Sequence, residues 1–471
     1  MSATQVVTHL RDVLSEQYKL AHRFWTDPKF HGPMMTIWVA TLGGSLHSSV
    51  TTFFYLEVGA TATDIGTLGV ISTSQSLILS PLYGWLLDKH SAYSAMVLSC
   101  LVCATGCLVR GLAADVHTLK IGAFILGLGG ANLWTTVLAY CSKYTERENR
   151  SLIVSGFIFQ VTALKLVGKS MYPPFSFLLQ ALWPNQTTVR YYRATMAICT
   201  VFCFVGFLEL LRTGKAVREA TLVLPSDRAS EDPDSAKSTK SAPKEKQSVA
   251  GFVLMAMILV LQAFCVTVGD VLWPLFLHDR YSWGPTYYSY MLFLSGVLSA
   301  LGIASVSSFE RRLGGSRFLI WTCSFAAVTC LIAFSIPNVV VHIVFSIGFV
   351  SAMACADPAI KTLATLFLPA TLQGRSFGVL ATISGLGSIL GHWAGTRLYR
   401  MPAYQGSAVW AFSYSEGGLP YLAVTLALTL AVMILLWVSA HYDNEKDKQT
   451  PPSSPPSSPC IKQNPNFRRM L

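Results

Sequence analysis

Between Ile65 and Leu87 the chain carries no Asp, Glu, Lys or Arg. Roughly 20 apolar residues at ~1.5 Å each cover the ~30 Å hydrocarbon core of a bilayer. Only helices or closed barrels satisfy their backbone in lipid, and runs this long and apolar are helices. The run is one of twelve, at about 34–56, 63–87, 92–114, 118–141, 150–178, 191–212, 250–276, 284–308, 317–336, 339–366, 374–396 and 406–440. They are called spans 1 to 12 below. Across the 471 residues, 52% are hydrophobic and only 13% charged, where a soluble chain is about a quarter charged. The expectation is an all-α membrane protein with twelve transmembrane helices in two six-helix bundles. The net charge of +11 then reflects basic loops beside anionic lipid rather than nucleic-acid binding.

Two composition shifts divide the chain. Residues 1–33 are polar, mixed in charge and without a cleavable signal pattern, and read as an N-terminal tail. Residues 34–212 form the first bundle. Residues 213–249, with Ser, Lys, Asp, Glu and Pro in DRASEDPDSAKSTKSAPKEK, cannot bury enough apolar surface to order themselves and read as a disordered linker. Residues 250–441 form the second bundle. Residues 442–471, with PPSSPPSSP, read as a disordered tail. Ten of the eleven cysteines fall in or beside the apolar runs. No spacing resembles a zinc site or a disulfide framework, so they read as small packing residues.

Most of the 35 Lys and Arg residues lie in the tails and the loops on the linker's side, whereas Lys120, Arg190, Arg193, Arg280, Arg397 and Arg400 lie on the other. This bias predicts that both termini and the linker are cytoplasmic. Asn185 of Asn185-Gln186-Thr187 then falls in an outer loop, where a glycosylation acceptor belongs. A plasma membrane is favoured over an organelle membrane.

Span 2 ends in Gly84-Trp85-Leu86-Leu87-Asp88-Lys89. The Gly four residues before an Asp and the basic residue after it resemble the signature loop between helices 2 and 3 of the major facilitator superfamily of transporters. Glu310-Arg311-Arg312-Leu313-Gly314-Gly315 follows span 8 at the equivalent place in the second half. Glu146-Arg147-Glu148-Asn149-Arg150-Ser151 follows span 4, and Gln373-Gly374-Arg375-Ser376 follows span 10. The resemblance covers about residues 34–440. It implies a conformational gate at Gly84, Asp88, Lys89, Glu310, Arg311 and Arg375. It also implies a central cavity lined by spans 1, 4, 7 and 10 with spans 2, 5, 8 and 11 beside it. The chain departs from the proton-driven drug exporters of that family. Ala123 stands where an Arg precedes Gly127-Leu128-Gly129, and span 5 has only Gly156 and Gly168 before Pro173-Pro174. Span 11 carries Gly378, Gly385, Gly387, Gly391 and Gly395, small residues that suit close packing against span 2 or a dimerisation face.

The chain has no phosphate-cradling Gly-rich loop followed by Lys-Ser/Thr, no metal-spaced His or Cys cluster and no catalytic constellation. It reads as a transporter rather than an enzyme, without a cofactor. Function must then come from polar groups inside the spans, where ionisable residues face a cavity or a partner. In span 1, His47 among serines and threonines either titrates near neutral pH or bonds a neighbouring hydroxyl. In span 4, Asn132 and Trp134 either contact a substrate or pack. In span 5, Gln160 precedes Lys165, which is too deep to snorkel easily, while Lys169 lies nearer the outer face and can snorkel. In span 7, Gln262 is central, and Asp270 is either a gate or a hydrated helix end. In span 10, Asp357 and Lys361 share a face at i,i+4, and Pro358 invites a local break. Lys165 and Asp357 differ in depth by about 7 Å, so Asp357 is expected to be shared between Lys361 on its own helix and Lys165 across the cavity.

The reading is a monomeric secondary transporter that moves a small solute by alternating access about a midplane site, coupled to protons. The alternatives are a transporter-fold receptor or sensor, a chaperone for another membrane protein, and a lipid flippase.

Overall fold

The computed structural model describes residues 24–89, 92–143, 150–222, 249–336, 338–366, 373–400 and 418–440, with a few isolated positions before residue 24. Much of the expected linker and both tails lies outside the described residues, as does 401–417 of the expected span 12. Fourteen helices occur among the described residues. The first half holds α1 (Pro28–Ser48), α2 (Thr51–Glu57), α3 (Ala62–Lys89), α4 (Ala92–Leu112), α5 (Val116–Lys143), α6 (Arg150–Ser170), α7 (Tyr172–Leu182) and α8 (Thr188–Leu222). The second holds α9 (Val249–Tyr281), α10 (Pro285–Leu313), α11 (Gly315–Ser335), α12 (Val339–Leu366), α13 (Gln373–Tyr399) and α14 (Leu419–Val438). Twelve spans result, because α1 with α2 makes span 1 and α6 with α7 makes span 5. Seven helices are long and apolar enough among the described residues to cross a membrane. Large apolar side chains such as Leu112, Val201, Trp321 and Leu426 stay exposed on the peripheral helices, as a lipid-facing surface requires.

Both breaks have local causes. At the end of α1, side chains bond the backbone carbonyls that the next turn would use. His47 Nδ1 donates to Gly44 O (2.6 Å), Ser48 Oγ to Ser45 O (2.7 Å) and Thr51 Oγ1 to His47 O (2.9 Å). Such bonds compete with the helix ladder. At Met171, Pro173 and Pro174 enter the first turn of α7. Proline is tolerated there because the first turn needs no N–H donor. On the short turn before α5, Thr118 N–H donates to Asp115 Oδ1 (2.8 Å). That backbone bond holds the Asp115 carboxyl below its ordinary value.

Three expectations are corrected. Span 6 does not stop near Arg212, because α8 continues to Leu222. Pro358 does not break span 10. α12 runs through it, since helices packed around a span hold it together where one backbone bond is missing. The glycines of span 11 do not all serve span 2. Gly385 meets Leu77 of α3, but a Cβ on Gly391 would lie 2.9 Å from Phe264 O, and one on Gly387 2.9 Å from Ala263 Cβ. Spaced by four, Gly387, Gly391 and Gly395 share one face, and that face packs on α9.

The halves meet along α3 with α13, along α6 with α10, and where α2 touches α9. α3 closes on α13 at Gly66 and Gly69, which lie against Thr396 and His392. That end is opposite the linker. The ring of Phe53 in α2 also crosses to the second half there, 6.1 Å from Tyr288 and 6.2 Å from His278. Trp273 backs Tyr288 at 6.0 Å. Tyr287 and Tyr290, next to Tyr288, are exposed and suit the interfacial belt.

Candidate substrate site between the two halves

Five of the described charges within the spans come from three helices. Lys165 and Lys169 come from α6 of the first half. Asp270 comes from α9, and Asp357 and Lys361 from α12, all of the second half. Lys165 lies ~22 Å from the linker-side end of α6, and Asp270 ~16 Å from the opposite end of α9, at ~1.5 Å per residue. Both are solvent-exposed although helices surround them. Mid-helix charges that water reaches line a cavity rather than lipid.

Lys361 Nζ donates to Asp357 Oδ2 at 2.7 Å, and the two side chains are 36% and 39% exposed. The i,i+4 pair expected from the sequence is therefore formed. Lys165 makes no such bond among the described residues. It lies in the field of Asp270 first, then of Asp357 and Lys361. Asp270 in turn faces Lys169 and Lys165. Asp270 thus acts on Lys165 together with the expected Asp357. Lys169 was read as a snorkelling residue, yet it belongs to the same group. Its signal was the spacing of four from Lys165, which puts both ammonium groups on one face.

The other expected site residues divide. Gln160 is buried at 8% exposure, and neither amide atom has a hydrogen-bond partner. It lies on α6, one and a half turns before Lys165. Gln262 is buried on α9. Trp134 packs edge-on against Phe157 at 5.0 Å, so packing accounts for it. The side chain of Asn132 lies outside the described residues. His47 is partly buried with Nε2 unpartnered, and it sits in the field of Arg110 and Cys107 rather than among the cavity lysines. The gate residues occupy the last two turns of α3 (Gly84, Asp88, Lys89), the last turn of α10 (Glu310, Arg311) and the first turn of α13 (Arg375). All are at the linker-side ends, and their side chains lie outside the described residues. Asn185 is exposed in the turn before α8 with φ 67°.

Several groups had no role in the sequence reading. Arg110 of α4 is only 7% exposed. Its guanidinium donates to Tyr55 Oη and lies 5.4 Å from that ring. His342 of α12 is fully buried. Its Nδ1 donates to Ala333 O (3.0 Å) and its Nε2 accepts from Trp273 Nε1 (3.0 Å). Both nitrogens are used by neutral partners, so His342 is structural. Cys103 and Cys107 of α4 face Cys203 and Cys199 of α8. Their spacing along the chain gave no sign of this, because two helices bring together pairs 92 or more residues apart.

The model of the Major Facilitator Superfamily matches residues 34–392, most of the chain. This chain belongs to the major facilitator superfamily. Among the relatives of this major facilitator protein is a tetracycline resistance protein, class H, from Pasteurella multocida. The two are 22% identical over 338 residues, 72% of this chain and 80% of that protein. Solved structures share the fold. A bacterial homologue of the human lysosomal transporter Spinster, inward-facing and occupied, gives TM-score 0.65 at 13% identity, over 90% of this chain and 98% of that chain. The nucleoside transporter NupG gives 0.60 at 13% identity, over 88% and 99%. The resemblance drawn from the loop after span 2 is thereby confirmed. This major facilitator protein is a multi-pass membrane transporter, not an enzyme.

Proposed function

We propose that this transporter couples protons to the movement of a small solute carrying an anionic group, bound between Lys165 and Lys169 of the first half and the Asp270 face of the second. The observation that carries the reading is the charge balance of the cavity: three lysines face two aspartates, and one aspartate is already held by Lys361. One positive charge is left without an acidic partner. An unpaired charge at this depth in a membrane is costly unless a partner compensates it. An anionic solute supplies the compensation and, by touching both halves, favours the state in which they close on it. A proton on Asp270 would free the two lysines for that solute, which links proton and solute binding. The relatives named above transport or resist different compounds, so the solute follows from the site rather than from them. The Lys and Arg bias supports a cytoplasmic side for the termini and linker.

The test is a set of anionic metabolites offered to the purified chain, since a ligand of the folded state alone raises the unfolding temperature. Hits then enter proteoliposomes under an imposed pH gradient. Accumulation that collapses with a protonophore supports the reading. Binding without accumulation favours a receptor, and stabilisation only by cationic or neutral solutes rejects the anion.

A further inference from the structure

We propose that Cys103 and Cys107 of α4 with Cys199 and Cys203 of α8 bind a thiophilic d10 cation, zinc(II) or copper(I), as a thiolate complex inside the first bundle. Each helix offers two cysteines four residues apart, hence on one face. The helices run antiparallel, so Cys103 meets Cys203 and Cys107 meets Cys199. The Sγ–Sγ separations are 3.9 and 3.7 Å, and the Sγ atoms of Cys103, Cys107 and Cys203 all lie within 4.8 Å of one another. Four sulfurs at 2.3 Å from a tetrahedral zinc stand about 3.8 Å apart along each edge. A disulfide needs ~2.05 Å, and these cysteines are free. Soft thiolate ligands select copper(I) and zinc over hard cations.

A second observation points the same way. Arg110 follows Cys107 by three residues and is buried, and among the described residues it has no carboxylate partner. Its hydrogen bond goes to the Tyr55 hydroxyl, its Nε has no partner, and the cysteines acting on it are Cys107 and Cys199. Neutral thiols leave this guanidinium uncompensated, buried in the last turn of α4. Zinc(II) on the four thiolates carries two negative charges, one of which the Arg110 charge cancels. Binding then releases four protons, one from each thiol. Other buried cysteines behave differently. Cys265 and Cys330 each donate to a single carbonyl, Val424 O and Tyr421 O, as packing thiols do. Cys100 is likewise engaged with Cys203 O at 3.3 Å.

The experiment uses the full chain in detergent, reduced and stripped with chelator. One portion receives zinc(II). Another receives copper(I) without oxygen, against a colorimetric copper(I) chelator as competitor. Metal per chain is measured after desalting, together with the unfolding temperature. One ion per chain and a raised unfolding temperature are expected in one arm, which names the metal. Cys103→Ser and Cys203→Ser are expected to lose the ion, and Cys265→Ser to keep it. Arg110→Leu is expected to weaken affinity about 10–100-fold, as loss of an outer partner does. A wild-type chain that keeps no ion overturns the proposal whether or not the variants fold. So does equal retention by Cys103→Ser and Cys203→Ser. A metal-free wild type with blocked thiols, its mass lowered by two hydrogens per bridge, overturns it in favour of disulfide chemistry.

Discussion

Lys165 is the residue on which the transport reading turns. It is exposed to the cavity, has no ion-pair partner among the described residues, and sits where Asp270 and Asp357 both act on it. Lys165→Ala is expected to abolish solute accumulation in proteoliposomes while leaving expression and the unfolding temperature near wild type. Retained flux would remove Lys165 from the mechanism. Charged residues in apolar runs stand out in a sequence, which is why Lys165, Asp270, Asp357 and Lys361 could be singled out from the chain alone. Their partners could not. Which lysine faces which aspartate depends on how α6, α9 and α12 approach, and Asp270 joins Asp357 as a neighbour of Lys165 for that reason. The thiol cluster was hidden more deeply. Each Cys-x-x-x-Cys pair is unremarkable by itself, and only the antiparallel approach of α4 and α8 makes four sulfurs into a group.

Element packing is set by where a side chain would not fit. Gly391 lies against Phe264 O of α9, whereas Gly44 has open space beside it. Gly391→Leu is expected to lower the unfolding temperature, since overpacking typically costs 1–3 kcal/mol. Gly44→Ala is expected to hold or raise it, as replacing a mid-helix glycine gains about 0.5–1 kcal/mol. Thermal unfolding of both in one detergent checks the pair, and equal effects would contradict the packing. The end of α3 carries a second expectation. As a proposed gate, Asp88 at the end of α3 would approach the start of α13, where an acid gains about 0.3–1 kcal/mol from the helix dipole. If this contact forms only when the linker-side face is closed, Asp88→Asn should express normally but transport slowly. Cysteine probes on the linker-side face should then react faster. Unchanged flux and reactivity would remove the gate role. Helix existence was readable from apolar run length. The breaks in spans 1 and 5 were not, because they arise from hydroxyl and imidazole bonds to carbonyls and from where Pro173 falls in a turn. The path of α12 through Pro358 was misread because the neighbours that hold a span together are absent from its own sequence.

For the whole molecule, the proposed orientation, drawn from the Lys and Arg bias, has both termini and the linker on the cytoplasmic side. Epitope tags at both termini and within 223–248 are expected to be reached only after cells are permeabilised. Labelling of any of them on intact cells would reverse the orientation. The seal at the opposite face has a thermal consequence. Phe53 joins the halves there by its ring contact with Tyr288, which Trp273 backs from the same half, so the strength of this contact comes from excluding water. Such contacts are nearly indifferent to ionic strength, which screens only charges, and they weaken on cooling. Added salt is therefore expected to leave the equilibrium between the two open forms almost unmoved, while chilling shifts it toward the form open at this seal. Fluorescence from a reporter beside Phe53, followed across a temperature ramp at low and high salt, reads both effects at once. A transporter latched by rings in this way would run its cycle on the temperature of the membrane more than on the salinity around it.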